Sequence, residues 1–272
     1  MKLTFVILNY KTPHHLRLCV KNIKQMKLDF DYEIIVVDNA SGDESVELIQ
    51  REFPEVTLVA NGTNVGHPSG NNVGFKLARG EYIVMVNPDI VFRKADDVIK
   101  VLQYMDQHSQ VAFVGPRLHN PDGTIQNSCY RRYSFWTPLF RRTFLGKLPQ
   151  AKRDIQRHLM LDFDHNETIS VDWLLGACMF IRRAAMEKIG MMDERLFLYF
   201  GDYEWCDRAR QNGYAVIYFH DVNGIYHYHK RESASRRFSV QQVFSYVTRI
   251  HLKDWKTYLA ITKTYAKSPR DL

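Results

Sequence analysis

The sequence contains no long apolar run, and this absence limits how the chain can relate to a membrane. Among its 272 residues, 45% of them hydrophobic, no stretch approaches the apolar length of a spanning helix, which is roughly 18 to 20 residues. The amino-terminal strand pattern turns polar too early for a secretory signal peptide. These absences favour a cytoplasmic protein that folds around a core of its own.

Paired cysteines and the common nucleotide-binding motifs are also missing. The cysteines are Cys19, Cys129, Cys178 and Cys206. They lie far apart with no CxxC pair, so ordinary thiols are expected rather than a zinc site or a disulfide framework. No GxGxxG follows the first predicted strand, and no GxxxxGK[ST] occurs in the chain. The sequence therefore lacks the usual signatures of a dinucleotide-binding fold and of a P-loop.

The net charge of +7 is distributed unevenly along the chain. Residues 131–160 contain eight Lys or Arg and one Asp, and residues 207–272 contain twelve Lys or Arg and five acidic residues. Such segments attract phosphates, whether of nucleic acid, of lipid head groups or of a lipid-linked pyrophosphate. Because aromatic side chains such as Phe135 and Trp136 alternate with arginines, the pattern favours contact with a membrane surface over a merely solvated face.

Strands and helices alternate through the first half of the chain. Apolar runs predict strands over residues 3–8, 33–37, 56–60 and 82–86, with helical patterns between them. Continuous apolar strands joined by helices indicate an α/β fold with a mostly parallel sheet covered on both faces. Right-handed crossovers bring the carboxyl ends of such strands to one edge of the sheet.

Polar side chains follow these strands and are expected to gather at that edge. They are Asn9, Asp38, Asn64 and Asp89. Pro88 cannot prolong a central strand and turns Asp89 outwards, to the place where open α/β sheets bind ligands. A carboxylate there either binds a cation or polar ligand, or caps the next element. The gathering of polar residues favours ligand binding.

The regular alternation stops after a strand predicted over residues 111–116. Residues 118–170 suit a covering region, and one strand is predicted over residues 171–181. Asp202 and Glu204 then begin a helix, where they either serve chemistry or complement the helix dipole. His227 and His229 point the same way on a strand, which suits a metal or phosphate site and equally an ordinary exposed strand.

Seven short motifs resemble the inverting family 2 glycosyltransferases with the GT-A fold, and within them a bacterial rhamnosyltransferase-like branch. They are VILNY (6–10), IVVDNAS (35–41), NVG with GNNVG (64–74), VNPD (86–89), DWLLGA (172–177), FGDYEWC (200–206) and His227. The resemblance implies an α/β GT-A fold with a mostly parallel central sheet, helices on both faces and a C-terminal helical tail. It divides the chain into a nucleotide-sugar-binding half (1–117), an acceptor-binding and catalytic half of the same domain (118–233) and a basic amphipathic tail (234–272).

The resemblance also assigns the metal and the base. Asp89 would bind Mg²⁺ or Mn²⁺ at the donor's diphosphate, because hard cations prefer oxygen ligands completed by substrate phosphates. His227 would complete the metal shell, with His229 as the alternative. Asp202 would be the general base that takes the proton of the acceptor hydroxyl. Departures from the family pattern are His67-Pro68-Ser69 and Gly201.

Donor and acceptor contacts follow from the same resemblance. The donor-binding residues would be Asn9, Asp38, Asn39, Asn71, Asn72, Asn87, Lys230 and Arg231, with Asp38 at the nucleoside. The acceptor-binding residues would be Asp172, Trp173 and Glu204. An indole can pack on the apolar face of a sugar ring, although Trp173 also suits a core position.

The activity implied by the resemblance is metal-dependent transfer of a sugar onto a lipid-linked glycan precursor. The favoured donor is dTDP-L-rhamnose, and a UDP-hexose or UDP-galactofuranose is the alternative. The protein is expected at the inner face of the cell membrane, on an anionic surface, with no nucleic acid as partner and no predicted oligomeric state. An inactive scaffold or a basic nucleic-acid-binding module is the alternative from another class. Acidic residues at the sheet edge argue against the latter, since they repel phosphates unless a cation is present.

Overall fold

The computed structural model describes residues 1–142, 144–228 and 246–265. Its strands are β1 (Leu3–Asn9), β2 (Tyr32–Asp38), β3 (Thr57–Ala60), β4 (Tyr82–Val86), β5 (Ile90–Phe92), β6 (Val111–Pro116), β7 (Leu118–His119), β8 (Ile125–Gln126), β9 (Cys129–Tyr130), β10 (Ile169–Ser170), β11 (Trp173–Leu174), β12 (Cys178–Arg182), β13 (Ala215–Phe219) and β14 (Ile225–His227). Its helices are α1 (Pro13–Gln25), α2 (Ser45–Glu52), α3 (His67–Leu77), α4 (Ala95–Gln107), α5 (Thr137–Arg142), α6 (Pro149–Leu159), α7 (Arg183–Ile189), α8 (Gly201–Gln211) and α9 (Tyr246–Tyr265), with a 3₁₀ turn over Phe144–Lys147.

A central eight-stranded sheet organises the molecule. Its strand order is β10-β13-β6-β12-β4-β1-β2-β3. The strands β4, β1, β2 and β3 are mutually parallel, as are β6 and β13, whereas β12 runs antiparallel to both of its neighbours. The predicted α/β architecture with a mostly parallel central sheet is therefore confirmed.

Side chains of the central strands alternate between two apolar clusters, one on each face of the sheet. In β1, Phe5 and Ile7 join the cluster that also contains residues of α1, α2 and α4. Val6 joins the opposite cluster, with residues of α7, α8 and α9. Successive residues of a strand point to opposite faces, so a sheet buried on both sides requires a continuous apolar run. This accounts for the uninterrupted hydrophobicity of the predicted strands.

The prediction of one strand over residues 171–181 is wrong. The run forms β11, which pairs with β9 in a small separate sheet, and β12, which lies in the central sheet. Gly176 lies between them, where an added Cβ would be 3.2 Å from Met85 and 3.4 Å from the Cβ of Asp202. Both pieces are buried, so hydrophobicity alone did not reveal the break.

A second, four-stranded sheet combines two strands of the predicted covering region, β7 and β8, with β5 and β14, and it brings His227 to the end of β4. Its order is β5-β14-β7-β8. The strand β5 starts immediately after Asp89, and its Ile90 is the register partner of His227 on β14. Because β7 pairs with β14 and β8 pairs with β7, the short strands in residues 118–126 hold the strand that carries His227.

The helix α9 occupies the predicted C-terminal tail and packs against the main domain. Ile250, Tyr258 and Ile261 are buried, and the last two belong to the second apolar cluster. Among the helices that the structure describes, none has both the length and the apolar composition needed to cross a bilayer.

Candidate active site

Asp89 and His227 form a close pair at the carboxyl end of β4. The backbone around Asp89 is fixed because its carbonyl accepts the N–H of Tyr228 (2.8 Å) and Asn87 N–H donates to Ala177 (2.8 Å). His227 Nε2 lies 3.2 Å from Asp89 Oδ2. The structure thus brings together the two residues predicted to bind a metal.

The hydrogen bonding of this pair fits a bound cation. Gln126 Oε1 lies 2.9 Å from His227 Nδ1 and orients the ring. Nε2 faces the Asp89 carboxylate, so a cation placed at this pair would meet an imidazole nitrogen and a carboxylate oxygen. Asp89 Oδ1 is buried and has no hydrogen-bond partner among the described residues.

The number of protein ligands also limits the kind of metal site. Within the ranges that the structure describes, no three His, Cys, Asp or Glu side chains gather into a metal-binding group. A carboxylate and an imidazole, completed by substrate phosphates and water, suit Mg²⁺ or Mn²⁺ rather than a structural metal held entirely by protein. Asp89 and His227 are therefore the residues that would hold the cation.

Asn9 and Asp38 are neighbours across β1 and β2, as register partners. Asn9 Nδ2 contacts Asp38 Oδ1 at 2.8 Å and the hydroxyls of Ser41 and Ser45 at 3.1 and 2.9 Å. Its Oδ1 accepts the Thr12 hydroxyl at 2.7 Å. The amide of Asn9 is buried and fully engaged, so it orients Asp38 and does not itself face a ligand.

Asn39, which was also predicted to bind the donor, holds a loop in place. Asn39 Oδ1 accepts N–H groups of Asn61 and Val65, and its Nδ2 donates to Asn64 and Gly66. These bonds fix the loop that leads into α3.

Two asparagines on α3 differ in what they contact. Asn72 donates to the carbonyl of Met192 (2.8 Å) and accepts its N–H (3.1 Å), which ties the two halves of the domain together. Asn71 Nδ2 donates to the His67 carbonyl at 2.9 Å. Asn71 Oδ1 is buried without a hydrogen-bond partner in the described part of the chain, which leaves it as an acceptor for a ligand.

Asp202 lies in the first turn of α8 with its carboxylate held by two backbone amides. Oδ2 accepts the Gly176 N–H at 3.1 Å, and Oδ1 accepts the Tyr203 N–H at 2.9 Å. Phe200, which precedes the helix, has a φ of 65°, a conformation that is unfavourable for a non-glycine residue. The local backbone thus fixes the direction of the Asp202 side chain.

A cavity of about 410 Å³ opens beside Asp202 and is walled mostly by aromatic rings. Its lining residues are His67, Asn87, Tyr130, Tyr133, Arg141, Trp173, Leu175, Gly176, Ala177, Leu198, Tyr199, Phe200, Asp202, Tyr203 and His251. The Trp173 ring stacks on Tyr130 at 4.1 Å and lies 5.6 Å from the ring of Tyr133. Asn87 and Asp202 share this cavity, so it connects the corner at β4 with the start of α8.

Two carboxylates predicted to bind the acceptor are absent from the cavity lining. Glu204 is buried and pairs with Arg208 at 2.9 Å. Asp172 pairs with Arg210 at 2.9 Å and accepts the backbone N–H of Arg132. Their geometry gives both a role in holding α8 and its surroundings, and leaves Trp173 as the predicted acceptor-side residue that lines the cavity.

The comparisons with known proteins fit this geometry. Residues 4–190 match the model of the family described as Glycosyl transferase family 2. The chain belongs to glycosyl transferase family 2. The resemblance that the motifs predicted is thereby confirmed, and membership in this family makes the chain a glycosyltransferase.

Two curated relatives align over most of the chain. The low-salt glycan biosynthesis hexosyltransferase of Haloferax volcanii is 26% identical over 273 residues, covering 98% of this chain and 77% of that protein. The N-acetylglucosaminyl-diphospho-decaprenol L-rhamnosyltransferase of Mycobacterium tuberculosis is 21% identical over 255 residues, covering 83% of this chain and 76% of that protein.

A solved structure confirms the predicted GT-A fold. The mannosyltransferase PcManGT from Pyrobaculum calidifontis, in complex with GDP-Man and Mn²⁺, has a TM-score of 0.56 at 19% identity. The match covers 81% of this chain and 55% of that chain, so this family 2 domain spans little more than half the length of the solved protein.

Several site residues of this family 2 domain were not predicted. Tyr133 and Arg141 come from the aromatic and basic segment, and His251 comes from α9. The alternation of rings with arginines was visible in the sequence, but it indicated a surface segment rather than a cavity wall. His229, Lys230 and Arg231 lie outside the described residues.

Proposed function

We propose that this protein transfers a sugar from a nucleoside diphosphate donor onto a lipid-linked glycan precursor, with dTDP-L-rhamnose as the favoured donor. The observation that carries the proposal is the cavity shared by Asn87, beside the predicted metal corner, and Asp202. A donor diphosphate at the corner and an acceptor hydroxyl at Asp202 would meet there. The name of the rhamnosyltransferase above supports the choice of L-rhamnose and of a lipid-diphosphate-linked acceptor, whereas the dTDP nucleotide follows from the family resemblance.

The donor end of the proposed site is formed by Asp38 and by the corner at β4. Asp38 is buried and oriented by Asn9 and Ser41. A carboxylate fixed in this way suits a hydrogen-bond acceptor for the nucleoside of the sugar donor. Asp89 and His227 would hold Mg²⁺ or Mn²⁺. A divalent cation, when bound, stabilises the negative charge that develops on the leaving diphosphate.

Asp202 is the proposed general base. Hydrogen bonds from two backbone N–H groups orient its carboxylate, and an ionised carboxylate can take a proton from the acceptor hydroxyl as the hydroxyl oxygen attacks the anomeric carbon. Attack from the face opposite the leaving group inverts the configuration.

The acceptor end of the proposed site suits a sugar attached to a lipid diphosphate. Tyr133 and Arg141 line the cavity, and a tyrosine ring can pack on the apolar face of a sugar ring. Trp173 is buried and stacked on Tyr130, so it supports this wall. Phe135 and Trp136, exposed by 60% and 55%, lie two and three residues after Tyr133 in the chain. Exposed aromatic rings within a basic segment suit an anionic membrane surface, so we place the enzyme at the inner face of the cell membrane.

The proposal is tested by a donor panel combined with a base variant. The protein is incubated with Mn²⁺, a prenyl-diphosphate-linked N-acetylglucosamine, and dTDP-L-rhamnose, a UDP-hexose or UDP-galactofuranose. We expect product from dTDP-L-rhamnose. Product from a UDP-sugar alone would replace the favoured donor, and no product from any donor would contradict the proposed activity.

The variant Asp202→Asn isolates the base. General base catalysis is worth about 10²- to 10⁴-fold, so we expect a loss of kcat of that size with nucleotide affinity unchanged in calorimetry. Glu187→Gln, a change of an exposed carboxylate on α7, is the matched control and should retain full activity. Normal turnover by Asp202→Asn would exclude this residue as the base.

A further inference from the structure

The helix α9 turns a carboxylate towards the catalytic half of the domain. Its buried positions recur every three or four residues and include Ile250, Asp254, Tyr258 and Ile261. Asp254 is at the centre of this buried stripe and has no exposed surface. A fully buried carboxylate is costly unless it is hydrogen-bonded, so its partners define its role.

The partners of Asp254 are three consecutive backbone amides immediately before the turn that begins α8. Oδ1 accepts the N–H of Phe197 at 3.2 Å, and Oδ2 accepts those of Leu198 at 2.9 Å and Tyr199 at 2.8 Å. Hydrogen bonds to an ionised acceptor are among the stronger ones in proteins. Asp254 therefore fixes the backbone three to five residues before Asp202.

The same segment is held from its other side by the start of α3. The Phe197 carbonyl accepts the His67 N–H at 2.6 Å. Gly66, with a φ of 88°, lies so close that an added Cβ would clash with this carbonyl oxygen. Residues 197–199 are thus clamped between α9 and the loop that leads into α3.

Ring contacts from α9 extend the clamp to the turn itself. The Tyr258 ring stacks on Phe200 with centroids 5.8 Å apart, and His251 lies 4.9 Å from Tyr199 and 5.1 Å from Phe200. Phe200 has the positive φ noted above. Such a conformation persists only where surrounding contacts hold it, and α9 supplies two of the ring contacts on Phe200, beside those of Tyr133 and Tyr203.

We propose that Asp254 is a positioning residue for the transfer reaction. Its carboxylate holds residues 197–199, which in turn hold the strained turn at Phe200 and the direction of the Asp202 side chain into the cavity. The inference rests on the proposed role of Asp202 as the base. Because the family model ends at residue 190, α9 lies outside the residues that the family match covers.

The variant Asp254→Asn tests this role, because its amide keeps one acceptor oxygen and turns an N–H₂ group towards N–H donors. Misplacement of a reacting group by about 1 Å can cost about 10²-fold, so we expect kcat to fall by about 10- to 10²-fold. The donor KM and the affinity for nucleoside diphosphate with Mn²⁺ should change by less than about twofold, because the donor end is untouched.

Hydrogen exchange provides a readout that does not depend on activity. In Asp254→Asn we expect faster exchange of the amides of Phe197, Leu198 and Tyr199, with unchanged protection of β1 and β4. Asp164→Asn is the matched control, since Asp164 also accepts a backbone N–H but is exposed. It should leave both kcat and exchange at residues 197–199 unchanged.

Each outcome distinguishes the positioning role from its alternatives. Faster local exchange with unchanged kcat overturns the proposal and leaves Asp254 as a structural contact of α9. Unchanged exchange at residues 197–199 overturns it as well. If Asp254→Asn does not fold, Asp254→Ser retains one hydroxyl acceptor and adds no buried atom, and native kcat in that variant overturns the proposal. Full activity of Asp202→Asn would instead contradict the base assignment, whatever the result at Asp254.

Discussion

At the scale of single residues, one oxygen of the Asp89–His227 pair lacks a hydrogen-bond partner among the described residues. His227 Nε2 lies 3.2 Å from Asp89 Oδ2, whereas Asp89 Oδ1 is the buried oxygen without a hydrogen-bond partner in the described part of the chain. A cation beside Oδ1 would supply the partner that this buried oxygen lacks. The arrangement therefore predicts a dependence on metal that can be measured without turnover.

The variant Asp89→Asn should lose the response to metal while remaining folded. Its amide can still hydrogen-bond to His227 Nε2, so the unliganded variant should have a stability close to that of the unaltered protein. Mn²⁺ with a nucleoside diphosphate should raise the Tm of the unaltered protein. The variant should need at least about tenfold more Mn²⁺ for the same shift. Thermal unfolding across a Mn²⁺ titration measures both effects.

The control for this prediction is Asp96→Asn, which changes an exposed carboxylate on α4. It should reproduce the Mn²⁺ response of the unaltered protein. An equal Mn²⁺ response in Asp89→Asn would exclude Asp89 as a ligand. A response that needs no Mn²⁺ in the unaltered protein would contradict metal dependence altogether.

The sequence predicted which residues reach the edge of the sheet better than it predicted what they contact there. Asn9 and Asp38 end adjacent parallel strands, as expected from two apolar runs. The amide of Asn9 nevertheless turns inward to Ser41 and Ser45. Strand ends follow from local hydrophobicity, whereas hydrogen-bond partners more than thirty residues away depend on the packing of the α2 helix against β1.

At the scale of elements, the segment from β9 to α6 was predicted only as a covering region, and the structure makes it a wall of the cavity. Tyr130, Tyr133 and His158 form a group of rings with Trp173. His158 is buried, its Nδ1 donates to the Arg131 carbonyl at 2.8 Å, and the guanidinium of Arg141 is near its Nε2. The sequence did not predict this wall, because the rings and arginines of the segment follow neither the periodicity of a helix nor that of a strand.

The ionisation of His158 links this wall to pH. Burial, reinforced by the charge of Arg141, lowers the pKa of His158 to about 4, whereas an unfolded histidine has a pKa of about 6.5. Below about pH 6.5 the unfolded chain binds a proton that the folded chain does not. This contribution to stability is therefore constant above that pH and is lost as the pH falls towards 4.

The variant His158→Asn should weaken the loss of stability at acid pH, since the Asn amide can still donate to the Arg131 carbonyl. Between about pH 7 and pH 5, removal of this histidine should reduce the decrease in unfolding free energy by about 1 to 2 kcal/mol. Urea unfolding at the two pH values measures it. His67, whose pKa burial also lowers to about 4, leaves a residual decrease in the variant.

The control is His14→Asn on the exposed face of α1. It should retain the acid dependence of the unaltered protein. An equal decrease in unfolding free energy in His158→Asn and in the unaltered protein would show that His158 binds its proton equally well in both states.

At the scale of the whole molecule, the cavity and the Asp89–His227 corner are supported from different faces of the sheet, since Ile90, Phe92 and Ile225 beside the corner belong to the first apolar cluster. The cavity, α8 and α9 lie with the second apolar cluster, whereas α1, α2 and α4 lie with the first. The sequence predicted two covered faces but not this division of roles. One signal was available: Asp254 interrupts the apolar stripe of the basic C-terminal helix, which indicates a buried carboxylate with a specific partner.

The exposed rings near the cavity predict which face of the molecule meets a membrane. Phe135 contacts Trp255 on α9 at 5.8 Å, so exposed rings and basic residues lie together near the cavity. Each basic residue near an anionic surface contributes about 1 kcal/mol, so vesicles with anionic lipid should bind the protein and neutral vesicles should bind it weakly.

The double change of Phe135 and Trp136 to Ser should reduce flotation with anionic vesicles by about tenfold or more. Leu18→Ser, which alters an equally exposed apolar residue on α1, should not. Equal flotation with neutral and anionic vesicles, or an equal loss in Leu18→Ser, would exclude this face as the membrane contact.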